Sequence, residues 1–192
     1  MAICDGLITG GIDFNCDNYN APIGVDKDLI LVNYDEFDRI ATLDAANREA
    51  DDTNGNEGGL TNIELKLGAV QNVFEGRDYS IVPTVTSEIR ENSGDSWFMH
   101  SIAFIAYNKA AKARKTLEKL AQSKVVAIVV DKSTGLYEIF GIDQGLKISA
   151  VERTYVGGQN GNFYSVTIAT PDISVVREST TGELATAINT AV

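Results

Sequence analysis

The side chains best suited to nucleophilic or metal chemistry are scarce in this sequence. It contains one histidine, His100, and two cysteines, Cys4 and Cys16. A cysteine nucleophile needs a base close to it, and structural zinc needs about four Cys or His ligands. His100 lies in an apolar run, which is typical of a half-buried strand residue. We therefore expect no enzyme, no cofactor and no metal ion.

The two cysteines are expected to be reduced thiols. The start of the chain, Met1 to Asp5, lacks the basic and apolar pattern of a signal peptide. Disulfides are rare in proteins that stay in a reducing compartment. Buried free cysteines then behave as small apolar residues. A disulfide between Cys4 and Cys16 is the alternative.

Two short segments alternate carboxylate and amide side chains, as calcium-binding loops do. They are Asp13, Asn15 and Asp17 in the first and Asp52, Asn54 and Asn56 in the second. An EF-hand loop needs glycine at its sixth position and glutamate at its twelfth. Asn18 and Glu57 occupy the sixth positions. Gly24 and Ile63 occupy the twelfth, so both segments are predicted to be solvated loops.

Charge and length limit the class of protein. The chain has 192 residues, 16 basic and 27 acidic, for a net charge of −11. A surface this acidic does not bind nucleic acid by neutralising phosphates. No apolar run approaches the roughly 20 residues of a membrane-spanning helix. We expect a single domain over 1–192 without membrane insertion.

Three segments are predicted to lie outside the packed domain. An amino-terminal arm covers 1–28, and a tail or short docking helix covers 179–192. Between them, 35–59 is an acidic excursion with eight acids and two bases, predicted to be a solvated loop with a short helix near 44–50.

The strongest predicted strand is Trp97 to Tyr107. Both of its faces are apolar, so both are expected to be covered, by a second layer or by a partner chain. Its candidate subunit-interface residues are Trp97, Met99, Ile105 and Tyr107. Further strands are predicted at 28–34, 60–74 with a bend near Gly68, 79–90, 125–130, 136–142, 146–155, 163–170 and 172–177.

One helix is predicted, over about 108–123. A narrow face of small and apolar residues would pack on a sheet. Its other faces are basic and include Lys112, Lys115 and Lys119. The predicted fold is therefore mainly β, an antiparallel sandwich or barrel with this helix packed on it.

From Trp97 onward the order of elements and glycines resembles virion structural proteins of tailed bacteriophages, in particular tail tube proteins. The segments that carry the resemblance are Leu117–Ser123, Asp131–Glu138, Phe140–Leu146 and Gly161–Ile168. The opening with Cys4 and Cys16 is also similar to the starts of some of these proteins. The tube protein of type VI secretion systems shares the architecture.

The resemblance implies a hexameric ring whose sheets join into an inner barrel, with rings stacked into a tube through which DNA passes. It implies a place in the virion tail, assembly in the host cytoplasm and contacts with other tail proteins. The candidate ring-stacking or lumen residues are Asp44, Glu49, Asp51, Asp52 and Glu57. The basic helix is expected to meet acid on a neighbouring copy, and an acidic lumen would repel phosphates so that DNA slides without sequence-specific binding.

Other classes of protein remain open from the sequence. A head–tail connector ring or a tail terminator has a related fold and forms single rings. A β-domain that binds a carbohydrate or a protein partner would expose aromatic side chains, for which Tyr19, Tyr155 and Phe163 are candidates. An enzyme is the least favoured class.

Overall fold

The computed structural model describes residues 24–50, 58–89, 96–107, 111–155, 162–171 and 178–190. Within these ranges the chain forms ten strands and two α-helices. The strands are β1 Val25–Asn33, β2 Leu60–Leu65, β3 Asn72–Glu75, β4 Ile81–Ile89, β5 Ser96–Ala106, β6 Val125–Asp131, β7 Tyr137–Phe140, β8 Lys147–Tyr155, β9 Asn162–Ala169 and β10 Glu183–Thr190. The helices are α1 Arg39–Thr42 and α2 Ala111–Gln122.

The strands form two sheets, which confirms the predicted mainly β fold with one long helix. Sheet A has six strands in the order β2-β10-β7-β6-β1-β3, and sheet B has four in the order β4-β5-β9-β8. Every described pairing is antiparallel except that of β10 with β2. Neither sheet closes into a barrel.

The main core lies between the two sheets and under α2. Leu29 and Val129 reach it from sheet A, and Phe104 and Ile168 reach it from sheet B. Leu117 is one of two α2 side chains buried there. Because β6 is buried on both faces, it appears in the sequence as an unbroken apolar run.

A second core lies on the other face of sheet A, since that sheet curls on itself. Asp38 N–H donates to Glu64 O at 3.0 Å, and Lys66 N–H donates to Glu36 O at 2.9 Å. Residues 36–38 follow β1 directly, yet they pair with the outer edge of β2, four strands away. Phe37 is thereby buried with Ile63 and Ile128.

The prediction of a solvated loop for 35–59 is wrong for 35–50. Two 3-10 turns and α1 pack this segment over the second core, with Phe37 and Leu43 on the inside. Asp38 and Asp44 cap short helical turns by accepting backbone N–H groups. An acidic composition hid this packing, because only two apolar side chains are needed to hold so short a segment. Asp51, Asp52 and Glu57 lie outside the described residues.

The prediction of a tail or docking helix over 179–192 is wrong for Glu183–Thr190, which form β10 inside sheet A. Ala185 is fully buried in the second core, and Ile188 packs against it. Small side chains suit a strand enclosed between two others, but they give little hydrophobic signal. The predicted arm 1–28 is likewise wrong for 25–28, which belong to β1.

Three predicted elements need smaller corrections. The strand predicted over 60–74 is two strands, β2 and β3. The turn between them contains Gly68, whose φ of +82° is not compatible with an extended strand. The helix is confirmed over Ala111–Gln122, and 108–110 lie outside the described ranges. Cys4, Cys16, the arm before Gly24 and the strand predicted over 172–177 are outside them as well.

Candidate assembly interface

The outer face of sheet B has no covering layer among the described residues. Along β5, His100, Ile102 and Phe104 are buried against the main core, whereas the alternate side chains are half-buried. The outward residues on the two central strands are Met99, Ser101, Ala103 and Ile105 on β5 and Phe163, Ser165, Thr167 and Ala169 on β9. Among the described residues, the expected second layer covers one face of β5, and the expectation that a second layer or a partner chain covers the other face stays a prediction.

This outer face is nearly free of charge. Among its described side chains only Lys147 and Glu152, both on β8, are ionisable. Most of the others are threonine, serine or alanine, with Val82 about half exposed at 52%. A face of small, uncharged side chains suits either contact with another surface or a smooth wall.

Sheet B also has two strand edges that are unpaired in the described part of the chain. β4 and β8 are its terminal strands, and each is nine residues long. Ile105 N–H on β5 donates to Ser80 O, just before β4, at 3.2 Å. The even-numbered residues of β4 therefore direct their backbone N–H and C=O groups to β5. Odd-numbered residues direct theirs to the open edge. Pro83 fits this alternation, because proline is tolerated where its missing N–H would point away from the partner strand.

An even number of alternating strands has a geometric consequence. β4 and β8 run in opposite directions, since each of the three neighbouring pairs in sheet B is antiparallel. A rotation about an axis roughly parallel to the strands keeps the strand directions the same in every copy. It would therefore bring β4 of one copy beside β8 of the next in antiparallel orientation. Such a contact is heterologous and closes into a ring when the rotation divides a full turn.

The structure separates the predicted interface residues into two places. Trp97, Met99 and Ile105 share the outer face of sheet B. Tyr107 follows β5, where the Arg77 guanidinium lies 4.4 Å from its ring centroid. Its neighbour across the sheet end is Phe163, at 6.4 Å between ring centroids.

The predicted lysines Lys112, Lys115 and Lys119 are exposed on α2. Lys112 borders a groove of about 810 Å³ between α2 and the open edge of β3. A second cavity of about 400 Å³, bordered by Lys119, continues this groove. The two cavities share Phe74 and Thr116, so they form one channel along the helix.

The predicted acidic residues lie elsewhere. Asp44 caps the 3-10 turn Ala45–Asn47, and Glu49 accepts a hydrogen bond from Thr186 Oγ1 at 3.0 Å. Both belong to the segment that packs over the second core, on the opposite face of sheet A from α2. The fold therefore does not bring Asp44 and Glu49 together with the lysines of the same chain.

The most elaborate polar site joins His100, Asp143 and Glu178, and the sequence analysis missed it as a site. Glu178 is fully buried and accepts the N–H groups of Asp143 and Gln144, both at 2.8 Å. Asp143 accepts from Ser179 N–H at 2.9 Å and pairs with Arg39. The two glycines of Phe140–Leu146 did signal a turn, but nothing local pointed to its distant partners.

His100 is fully buried rather than half-buried, and both of its ring nitrogens are engaged. Nδ1 accepts from Gly141 N–H at 3.1 Å, so Nε2 carries the proton and donates to Thr180 O at 2.7 Å. Burial lowers the pKa of His100 and outweighs the hydrogen bond to Thr180. A neutral ring with both nitrogens occupied has no free position for a substrate.

The pKa values of the two carboxylates of this site, Glu178 and Asp143, depart from their usual values in opposite directions. Burial raises the pKa of Glu178, and the two backbone N–H donors offset this only in part. Burial also acts to raise the pKa of Asp143, but hydrogen bonds from Ser179 and Arg39 bring it below its usual value. The network fastens the turn 141–145 to the residues before β10, which is a structural role.

No group of three or more His, Cys, Asp or Glu side chains among the described residues is arranged to hold a metal ion. No helix in the same part of the chain has the length and apolar character needed to cross a membrane.

Comparison with known proteins found no relative. No protein-family model, no curated protein and no solved structure matches the chain.

Proposed function

We propose that this chain is the subunit of a self-assembling tube of the kind found in the tails of bacteriophages, with sheet B lining the bore. The observation that carries the proposal is the geometry of sheet B: a face that no described element covers, and two antiparallel edge strands of equal length that no described strand pairs with. Unpaired strand edges are normally blocked in monomeric proteins, because they template association. Here both edges are long, which favours a ring in which each edge meets its counterpart on the next copy.

The resemblance of the carboxyl-terminal half to tail tube proteins supports the same proposal. That family forms stacked rings with a continuous inner barrel, and sheet B offers the strands for such a barrel. The composition of its outer face supports a bore, since small uncharged side chains neither bind phosphates nor obstruct passage.

The proposal changes one expectation about charge. Lys147 and Glu152 balance each other, so the described side chains of this face would form a neutral wall rather than a strongly acidic one. Glu88, in register with Trp97 at the end of β4, would add one acid per copy. Asp44 and Glu49 pack on the far face of sheet A and would lie on the outside of the tube. DNA would then pass because Lys147, the one cation among the described side chains of this wall, is offset by Glu152, so phosphates find no net positive charge to bind.

Electron microscopy of the purified protein across a concentration series tests the proposal. Long tubes with a central bore are the expected result. Closed single rings that never stack would favour a connector or terminator instead. A particle that remains monomeric at every concentration, also after addition of tail-tip extract as an initiator, would contradict the proposal.

A further inference from the structure

α2 carries positive charge that no ion pair within the described part of the chain neutralises. The helix has four bases, Lys112, Arg114, Lys115 and Lys119, and one acid, Glu118. None of the ion pairs among the described residues involves this helix. A cationic helix on a protein of net charge −11 is therefore available to an acidic partner.

The groove beside this helix has an apolar floor and a basic rim on the helix side, while the rim on the β3 side carries one acid, Glu75. Phe74 and Leu117 lie along its floor, and Lys112 and Lys119 rise on the helix side. Opposite them is the free edge of β3, where Val73 is 52% exposed. A fitting occupant would present an apolar side chain flanked by carboxylates.

The chain itself carries such a projection at the other core. Ile40 is 81% exposed, the most exposed large apolar side chain in the described part of the protein. It stands between acids, because Asp35–Asp44 contains four carboxylates and one base, Arg39, which is paired with Asp143. Lys66 borders the same surface and donates to Asp35 O, so acids still outnumber the unpaired base there. We call this segment the acidic knob and the channel beside α2 the lysine groove.

We propose that the acidic knob of one copy docks into the lysine groove of a second copy. Ile40 would pack on the apolar floor, with Asp35 and Asp38 directed to Lys112 and Lys119. Each copy has one knob and one groove, so the contact is heterologous and can repeat from copy to copy. This inference rests on the proposed function for its setting, a repeating assembly, and it names a contact separate from the edges of sheet B.

A charge exchange tests the docking. The groove variant Lys112→Glu/Lys119→Glu and the knob variant Asp35→Lys/Asp38→Asn should each raise the concentration needed for assembly by about tenfold or more. The asparagine keeps a side-chain oxygen to cap α1 in place of Asp38. Mixed in equal amounts, the two variants should assemble again, because every groove of one then meets a complementary knob of the other.

The control is Arg114→Glu, compared with the single groove variant Lys119→Glu, because it makes the same change in charge at an exposed position of α2 that lines neither cavity. It should assemble as the unaltered protein does. Urea unfolding of all variants establishes that each is folded. As a second probe, Ile40→Ser should weaken assembly without changing the free energy of unfolding.

The outcomes separate this contact from the tube itself. Tubes that form equally well from the groove variant and the control would overturn the docking and leave the tube proposal standing. Rescue on mixing, in assemblies that are not tubes, would support the docking and contradict the tube. Failure of the mixture to assemble while the unaltered protein assembles would overturn the docking.

Discussion

Sheets A and B use their edges and faces differently. Sheet A curls until residues 36–38 and Arg48 bridge the outer edge of β2, and both of its faces lie against a hydrophobic core. Its other edge, β3, is only four residues long. Sheet B has one core-facing side, one uncovered side and two nine-residue edges without a described partner.

The difference indicates which sheet holds the monomer together and which is left for association. Burial of apolar area is the main source of stability, and sheet A contributes to two cores. Short or covered edges limit unwanted pairing, and sheet A has these features. Sheet B lacks them within the described ranges, and the proposed association between copies depends on this difference.

Truncation of a side chain inside sheet A should have the largest effect on stability. Ile128 is fully buried in β6, and Ile128→Ala should lower the free energy of unfolding by about 3 kcal/mol through lost burial and a cavity. Met99→Ala on the outer face of sheet B should have a clearly smaller effect. Urea unfolding of the monomer measures both, and equal losses would show that the two surfaces are packed alike.

The link between the folded excursion and β10 should contribute less. Arg48 donates to both carboxylate oxygens of Glu183, at 2.8 and 3.2 Å, and to Gly58 O at 3.1 Å. Arg48→Ala should lower the free energy of unfolding by about 1–2 kcal/mol, because it removes charge-assisted hydrogen bonds. Lys132→Ala breaks the exposed pairs with Asp78 and Asp26 and should leave stability nearly unchanged. Equal stability of both variants would contradict a specific role for Arg48.

The His100 network between the sheets should make stability depend on pH. Since burial holds the pKa of His100 below 6.5, the unfolded chain binds the proton more readily than the folded one. The contribution of His100 is therefore complete above pH 6.5 and lost as the pH falls below it. In His100→Gln, the free energy of unfolding should therefore depend less on pH just below pH 6.5 than it does in the parent. Chemical denaturation at a series of pH values measures this dependence. Glu178, with its raised pKa, acts with the opposite sign, so the decisive quantity is the difference between variant and parent.

The smallest change in stability is expected at the open edge of sheet B. Ser87 directs its backbone to that edge, so Ser87→Pro removes a donor that no described strand uses. It should unfold nearly as the parent does, yet form no tubes. Thr86→Pro, one residue away, removes a donor to β5 and should destabilise the monomer. Tubes formed by Ser87→Pro would contradict pairing through β4.

Some of this architecture follows from the sequence, because its signals are local. The five consecutive buried residues Val125–Val129 and the period of α2 identify their elements without knowledge of the rest. The bends at Gly68 and at 141–145 are marked by glycines with positive φ. Each of these features is determined by residues that are close to one another in the sequence.

The features that escaped prediction depend on distant pairings. The curl of sheet A requires Asp38 to meet Glu64, and His100 meets Thr180 across 80 residues. β10 has few large apolar side chains, and its place in sheet A comes from β2 and β7 on its two sides. The open edges of sheet B are likewise a property of strand order, which alternating apolar residues do not encode.

Hydrogen exchange along β4, compared between monomer and assembled protein, tests the central claim most directly. In the monomer, the amides of Val82, Thr84 and Thr86 should be protected by β5, while those of Val85 and Ser87 at the open edge exchange rapidly. Pairing of β4 with β8 of the next copy predicts that the odd-numbered amides become protected on assembly. Odd-numbered amides that exchange as rapidly in the assembled protein as in the monomer would contradict closure of the ring through sheet B.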